Sequence, residues 1–221
     1  MSMDASEWIA ADSPRKRDEI LRSLGAYLQR TRLSSLTMQD IADQLNISKG
    51  SLYNYFKSKQ DIIFHCHMKV MEMSLAALRE AKQAGDSSAA RLQILLEKHI
   101  RGMTDEVYGG VLLLPIDDLD AAQRRKYIGL RDQFERGVRK LIDDGIRSGE
   151  FRPIDARIAS LAILGSINWL PRWYRSDGQL TPSEVAAQFA SLFVHSLLAD
   201  NHRPPTGIAR RSRARPRQAA G

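Results

Sequence analysis

The sequence contains a single cysteine, Cys66, so it has no internal disulfide. It has no run approaching the roughly 20 consecutive apolar residues of a membrane-spanning helix, and its longest apolar stretch, Ile158–Ile167, is interrupted by small and polar residues. The first residues include acids and no basic segment followed by an apolar core, so we expect no export signal. Together these absences predict a cytoplasmic protein in which Cys66 is a small buried hydrophobe rather than a reactive thiol.

Catalytic and metal-binding motifs are also missing. There is no glycine-rich phosphate loop and no HExxH pattern. The five histidines have no carboxylate or cysteine partners at metal-ligand spacing, and His65 and His67 would face different sides of a helix. The acidic pairs are adjacent in the chain rather than convergent, which is typical of helix caps and surface charge. We therefore predict no catalytic residue, no metal and no cofactor, in a protein that is not an enzyme.

Positive charge is present but unevenly distributed. The formal net charge is +7, to which residues 1–12 contribute −3, residues 13–60 contribute +5, residues 61–200 contribute −1 and residues 201–221 contribute +6 from six arginines. A basic N-terminal segment suits a polyanion-binding surface, because cations near phosphates release condensed counterions. An excess of this size also occurs in ordinary helical segments, so charge alone leaves both interpretations open.

Helical periodicity extends through almost the whole chain, and Ala, Leu, Arg, Gln and Glu dominate it. The sequence therefore predicts an all-α fold of about nine helices. Residues 107–116, with two glycines and a proline, are expected to form a broken helix or an irregular crossing. The other predicted helices cover residues 13–32, 37–45, 48–54, 58–82, 89–104, 119–148, 156–174 and 182–198.

Residues 36–56 form the most informative segment. Thr37 and Ser48 are caps for two short helices, with a tight turn at Asn46-Ile47. The inward-facing positions are predicted to be Ile41, Ala42, Leu45, Ile47, Leu52 and Phe56. Small polar and aromatic side chains on the second helix then face outward, on a helix too short to be a core element. This is the arrangement of a helix-turn-helix, whose second helix enters the DNA major groove.

The run from Thr37 to Lys59, with the pattern IAxxLxIxxGxLYxYFxxK, resembles the DNA-binding domain of the TetR family of repressors. The preceding amphipathic helix and the long following helix have the same order in that family, so the resemblance covers about residues 14–65. It implies three parts: a helix-turn-helix DNA-binding domain at 13–58, a helical ligand-binding and dimerisation domain at 59–200, and a basic tail at 201–221. The tail is rich in Pro and Arg and is predicted to be disordered, either adding non-specific DNA affinity or having no role.

The resemblance also implies DNA contacts at seven positions. Lys49, Gly50 and Tyr53 would face base edges, Ser51 would reach a base or the backbone, and Tyr55, Lys59 and the backbone N–H of Thr37 would hold phosphates. A lysine can donate to guanine O6 and N7, and a tyrosine ring can contact a thymine methyl group. The alternatives are that Tyr53 is a packing aromatic and that Lys59 is a solvated surface charge.

A protein of this family is expected to be a homodimer on a near-palindromic double-stranded operator, with one recognition helix in each of two successive major grooves. The last two long helices would build the dimer interface. Their apolar positions, which are otherwise ordinary core positions, are Leu161, Leu164, Ile167, Phe189, Leu192 and Phe193.

The resemblance further implies a small-molecule effector site in the larger domain. Its candidate lining residues are Tyr108, Arg131, Asn168, Trp169, Arg172 and Trp173. Apolar walls with arginines suit an acyl chain on an anionic carrier, and the pattern GxxNWxxRWYR resembles the subgroup that senses acyl-CoA thioesters. Alternatively, Trp169 and Trp173 pack at the dimer interface and Arg172 is a surface cation near a helix C-terminus.

We therefore predict a DNA-binding transcriptional regulator, a repressor released from its operator by an effector such as an acyl-CoA. The alternative is an effector-independent DNA-binding protein or a helical interaction protein.

Overall fold

The computed structural model describes residues 13–28, 36–104, 116–175 and 177–200. All regular secondary structure in these ranges is helical, which confirms the predicted all-α fold. The helices are α1 (Ser13–Leu28), α2 (Met38–Gln44), α3 (Lys49–Tyr55), α4 (Lys59–Ala84), α5 (Ser88–Thr104), α6 (Ala121–Arg147), α7 (Ala156–Asn168), α8 (Leu170–Trp173) and α9 (Pro182–Leu197), with a 3₁₀ turn at Ile116–Asp118. Predictions for residues 29–32, 107–115 and 201–221 lie outside the described residues.

Local capping chemistry sets most helix boundaries. The Ser58 hydroxyl accepts a hydrogen bond from the Asp61 amide at the start of α4, and Thr181 forms a reciprocal capping box with Glu184 at the start of α9. Helix α6 begins two residues later than predicted, because the Asp120 carboxylate caps its first free amides. At its end, Gly149 adopts φ +75°, a conformation in which a Cβ would be strained.

The prediction of a single helix over 156–174 was wrong, because the helix is interrupted between α7 and α8. Pro171 lies just after the break. Proline has no amide hydrogen, and inside a helix its ring clashes with the carbonyl four residues earlier, here that of Ile167. The break turns the Leu170–Trp173 segment into a separate short helix.

Helix α5 lies at the centre of the larger bundle. It packs against α4 and α9, while α6 packs against α4, α5 and α7. The Glu150 carboxylate, from the α6–α7 connection, accepts hydrogen bonds from the amides of Ser88 and Ala89 at 2.8 and 3.1 Å. This side chain satisfies two of the otherwise unpaired amides at the N-terminus of α5 and ties that end to the rest of the bundle.

Helix α4 makes polar contacts both with the three-helix head (α1–α3) and with the rest of the body. Lys69 of α4 forms an ion pair with Asp18 of α1. The Gln123 side chain of α6 donates to the Asp61 carboxylate in the first turn of α4, at 3.3 Å. Helix α4 is therefore shared between the head and the body.

The expected role of Cys66 is confirmed. The side chain is fully buried, and burial raises the pKa of its thiol to about 12. In the described ranges, no helix combines the length and the hydropathy needed to cross a membrane.

Candidate nucleic-acid interface and interior cavity

The turn between α2 and α3 has a defined backbone geometry. Asn46 has φ +53°, and the amides of Asn46 and Ile47 donate to the carbonyls of Asp43 and Ala42, both at 3.0 Å. These two bonds form a Schellman motif, which ends a helix abruptly and reverses the chain. Asparagine tolerates this left-handed conformation better than most residues. The turn predicted at this position is confirmed, and it fixes the direction in which α3 leaves α2.

Helix α3 has one buried side and one exposed side. Leu52 is fully buried, as is Phe56 at its C-terminal cap. Lys49, Gly50 and Tyr53 are exposed along the opposite side, where i, i+1 and i+4 positions form one face. Asn54 is exposed beside them. The helix therefore presents a short surface of cationic, aromatic and amide groups outside the core.

Gly50 is not required by the packing of the chain itself. A Cβ built there would lie 3.8 Å from the Ser48 hydroxyl, an ordinary van der Waals contact. The absence of a side chain consequently leaves free space on the outer surface of α3, where a second molecule could approach the backbone.

Groups at the N-terminus of α2 are already engaged with one another. The backbone amide and the hydroxyl of Thr37 both donate to the Asp40 carboxylate, at 2.7 and 2.8 Å. The backbone hydrogen bond is the main reason that the pKa of Asp40 is lowered. Lys59 donates to the Leu36 carbonyl at 3.3 Å, which brings its ammonium beside the same helix end. A phosphate here would meet the lysine directly but would share the Thr37 amide with Asp40.

The two remaining DNA-contact candidates are partly buried. The Ser51 hydroxyl lies 2.8 Å from that of Ser48, and the Ser51 amide donates to the Ser48 hydroxyl. The backbone carbonyl of Tyr55 accepts a hydrogen bond from Arg17 of α1 at 3.2 Å. The serine contacts cap the start of α3, and the arginine contact ties its C-terminal end to α1.

A cavity of about 980 Å³ lies among α4, α5, α6 and α7. It brings together Arg131, Asn168 and Arg172 from the residues predicted to bind a ligand. Trp169 and Trp173 do not line it, and Tyr108 lies outside the described residues. Within the described ranges, no three His, Cys, Asp or Glu side chains are grouped so that they could hold a metal ion.

Arginines predominate among the charged side chains of the cavity wall. Five of them, Arg131, Arg136, Arg139, Arg157 and Arg172, face three acids, Asp117, Asp132 and Glu135. Glu135 accepts a hydrogen bond from Ser160 at 2.8 Å and pairs with Arg139 of the same wall at 3.8 Å, whereas Asp117 pairs with Arg124, which is not part of the wall, at 3.3 Å. The excess of cations favours an anionic ligand at this wall.

Aromatic and histidine side chains form the inner part of the cavity. The rings of His67 and Tyr127 have centroids 5.0 Å apart, and those of His99 and Phe134 are 4.6 Å apart. Burial lowers the pKa of His99 to about 4, so this imidazole is neutral at physiological pH. Sequence reasoning assigned no role to these histidines. The available signal was that His99 shares the apolar face of α5, seven residues after Leu92.

A second, apolar groove lies between α7 and α9. Trp169 and Trp173 line it, together with Leu161 and Leu192, which are 50% and 64% exposed. Phe189 and Phe193 are half-buried in it, while Leu164 and Ile167 are core residues. Arg172 connects the two sites, because it lines the cavity while its guanidinium stacks 4.5 Å above the Trp169 ring. The six predicted interface positions are thus divided between a solvent-facing groove and the core.

A short exposed helix after a tight turn, presented by a three-helix head above a helical body with an interior cavity, defines a helix-turn-helix DNA-binding regulator. The family model described as "Bacterial regulatory proteins, tetR family" matches residues 33–66, and the model "Tetracyclin repressor-like, C-terminal domain" matches residues 85–197, about half of the chain. The chain belongs to the TetR family of transcriptional regulators and is a DNA-binding repressor of that type.

Individual relatives agree with this family membership. The chain is 27% identical over 192 residues to the HTH-type transcriptional repressor KstR2 of Rhodococcus jostii, covering 85% of this chain and 93% of the repressor. The TetR-family regulator PfmR of Thermus thermophilus superposes with a TM-score of 0.73 at 29% identity, covering 79% of this chain and 96% of PfmR. A structure of AibR in complex with isovaleryl coenzyme A and operator DNA has the same fold, with a TM-score of 0.67 at 19% identity, covering 82% and 97%.

Proposed function

We propose that this repressor acts in the cytoplasm as a homodimer on a near-palindromic operator and is released by a small-molecule effector, best matched by an acyl-CoA thioester. The observation that carries this proposal is the cavity of about 980 Å³, which has an aromatic interior and an arginine-rich wall. Its volume is at the upper end of the roughly 300–1,000 Å³ typical of small-molecule sites.

The effector class follows from the two chemistries in one cavity. Phe134, Leu164 and Met103 offer apolar surface to an acyl group. Arginine guanidinium groups bind phosphate and carboxylate through paired hydrogen bonds, and a coenzyme A carrier is rich in phosphate. The neighbouring structure of AibR with isovaleryl coenzyme A supports the same class, since it has this fold.

For DNA binding, we assign base contacts to Lys49, Gly50 and Tyr53 on the exposed face of α3. Ser51 reaches a base or the backbone, and Tyr55, Lys59 and the Thr37 amide hold phosphates. Lys59 carries the phosphate role best, because its hydrogen bond to the Leu36 carbonyl brings its ammonium beside the N-terminus of α2, where the helix dipole also favours an anion.

Two substitutions test this assignment. Lys59→Ala should weaken binding to all DNA and lower the slope of log affinity against log salt by about one unit. Lys82→Ala is the matched control, because Lys82 is exposed in the last turn of the same helix, about 35 Å away along its axis. Tyr53→Ala should abolish discrimination between operator and scrambled DNA while retaining helical content and melting temperature. Unchanged discrimination in that variant would contradict the role of α3.

Regulators of this family bind operators as dimers, and we assign the dimer interface to the groove between α7 and α9. Exposed leucines and tryptophans in one patch are costly in water, and a second copy of the same face would cover them. Leu192→Arg should convert the dimer to a monomer in sedimentation equilibrium. Gln133→Arg, at an exposed position of α6, adds the same charge outside the groove and should leave the dimer intact.

A gel shift with DNA upstream of the gene tests the function as a whole. The purified protein is mixed with that duplex or a scrambled one, with and without a panel of acyl-CoAs. Specific retention that one thioester releases supports both the operator and the effector proposals. Specific retention that no thioester releases rejects the acyl-CoA class and favours the alternative, an effector-independent DNA-binding protein.

A further inference from the structure

A buried hydrogen-bond chain ends at the cavity wall. Ser74 of α4 lies in the core, and its hydroxyl is 2.8 Å from the Val70 carbonyl and 2.9 Å from Nδ1 of His99 on α5. The His99 side chain is only 6% exposed and lines the cavity, with the Phe134 ring packed against it. These neighbours fix both the position and the orientation of the imidazole.

This hydrogen-bond chain also fixes which ring nitrogen of His99 carries the proton. A serine hydroxyl has one hydrogen, and in a helix it commonly donates to the carbonyl four residues earlier, here that of Val70. If the hydroxyl donated to His99 instead, lone pairs of the Ser74 oxygen and of the Val70 carbonyl oxygen would face each other across 2.8 Å. The Ser74 oxygen therefore accepts from His99, and the proton is on Nδ1.

The other ring nitrogen is consequently an acceptor. Burial keeps the imidazole neutral, so Nε2 carries a lone pair and no hydrogen. Among the described residues, no side chain or backbone group donates to it. Because Nδ1 faces Ser74, Nε2 is the polar atom of this ring that remains for the contents of the cavity.

We infer that His99 selects the effector by accepting a hydrogen bond at Nε2, so that the effector carries an O–H or N–H group on the part held inside the cavity. A plain saturated hydrocarbon chain would bury this acceptor without a donor. Leaving a buried acceptor unpaired costs binding affinity by about tenfold. This inference rests on the proposed function, in that the cavity is taken as the effector site, but it concerns the buried end of the effector and not its carrier.

The first test is independent of any effector. The ¹⁵N spectrum of histidine-labelled protein reports the protonation of each ring nitrogen directly. His99 should show a protonated Nδ1 and an unprotonated Nε2 at pH 7, and it is assigned by its loss in His99→Gln. A proton on Nε2 would overturn the inference. In Ser74→Ala the constraint on Nδ1 is removed, so the Nε2-protonated form should appear.

The second test compares two probes of nearly equal size that need no carrier. Cyclohexanol can donate a hydrogen bond and cyclohexanone can only accept one. Cyclohexanol should bind about threefold to tenfold more tightly, and its titration should shift the Nε2 resonance of His99. Equal affinities, or tighter binding of the ketone, would overturn the inference.

Matched variants separate this contact from general packing. Glutamine can offer its side-chain oxygen near the position of Nε2, so His99→Gln should keep the preference for the alcohol, and His99→Leu should lose it. The same comparison is then made with pairs of acyl-CoAs that differ by a hydroxyl or a methyl group at one position. Release of the operator by both members equally rejects the inference and leaves the acyl-CoA class standing. Release by neither, with the cyclohexanol preference intact, rejects only that class.

Discussion

The role of Gly50 is open to a test in which stability and DNA affinity should change in opposite directions. Gly50→Ala adds one methyl group in the first turn of α3, where the nearest atom is 3.8 Å away. Alanine is favoured over glycine in helices by up to about 1 kcal/mol, and less in a first turn, so we expect a gain of about 0.5 kcal/mol. For a protein of this size that corresponds to a rise in melting temperature of roughly 1–2 °C.

DNA affinity should fall in the same variant. If the α3 backbone approaches the bases at Gly50, the added methyl group occupies the space between the two molecules. A displacement that weakens even one direct contact costs about 1–3 kcal/mol, or roughly tenfold to a hundredfold in affinity. The measurement is a fluorescence anisotropy titration with operator and scrambled duplexes, alongside a thermal melt.

Gly129→Ala provides the matched control. Gly129 is exposed in the middle of α6, and a Cβ built there has no neighbour within 4 Å. This variant should show the full helix-propensity gain and no change in operator affinity. The reasoning fails if Gly50→Ala binds the operator as tightly as the wild type, because the glycine then has no role at the DNA interface.

Three further predictions concern the turn, the buried histidine and the hydrogen bond between α6 and the first turn of α4. Asn46→Val should lower stability by about 1–2 kcal/mol and the melting temperature by roughly 2–8 °C, whereas Asn46→Gly should be neutral, because φ +53° strains a β-branched residue. Unfolded histidine takes up a proton near pH 6.5, whereas native His99 does so only near pH 4. As the pH falls from 6.5 to 4, the wild type should therefore lose about 3 kcal/mol more stability in urea unfolding than His99→Gln. Parallel pH profiles for the two proteins would contradict this. Gln123→Ala removes the hydrogen bond to Asp61. It should reduce the effector's influence on operator affinity about threefold to tenfold and leave effector affinity nearly unchanged. An unaltered ratio of operator affinities with and without effector would refute it.

Features of the fold that depend on neighbouring residues could be predicted from the sequence. Thr37, Ser48 and Ser58 each cap the helix that follows, because a short polar side chain can reach an amide two or three residues ahead. The inward face of the head was also predictable, because Ile41 and Ala42 share one face of α2, and Leu52 and Phe56 are four residues apart on one face of α3. The break at Pro171 was also local, but the sequence interpretation extended the helix through it.

The cavity could be predicted only in part, because its wall is assembled from four helices whose contacts are not local. Asn168 and Trp169 are adjacent in the chain and were predicted to share one site. Neighbouring helical positions are about 100° apart around the axis, and the two side chains line different sites. His99 lacked any motif, since its function depends on a serine 25 residues earlier in the chain.

The buried cysteine is an intrinsic probe of local opening in this protein. Only a thiolate reacts readily with alkylating reagents, and Cys66 is both fully covered and held as the thiol. It lies on α4, next to a residue of the cavity wall, in the helix shared by head and body. The rate at which a reagent modifies Cys66 therefore reports how often this helix separates from its neighbours. With no second thiol in the chain, that rate can be followed in the unmodified protein, free, on DNA or with an effector.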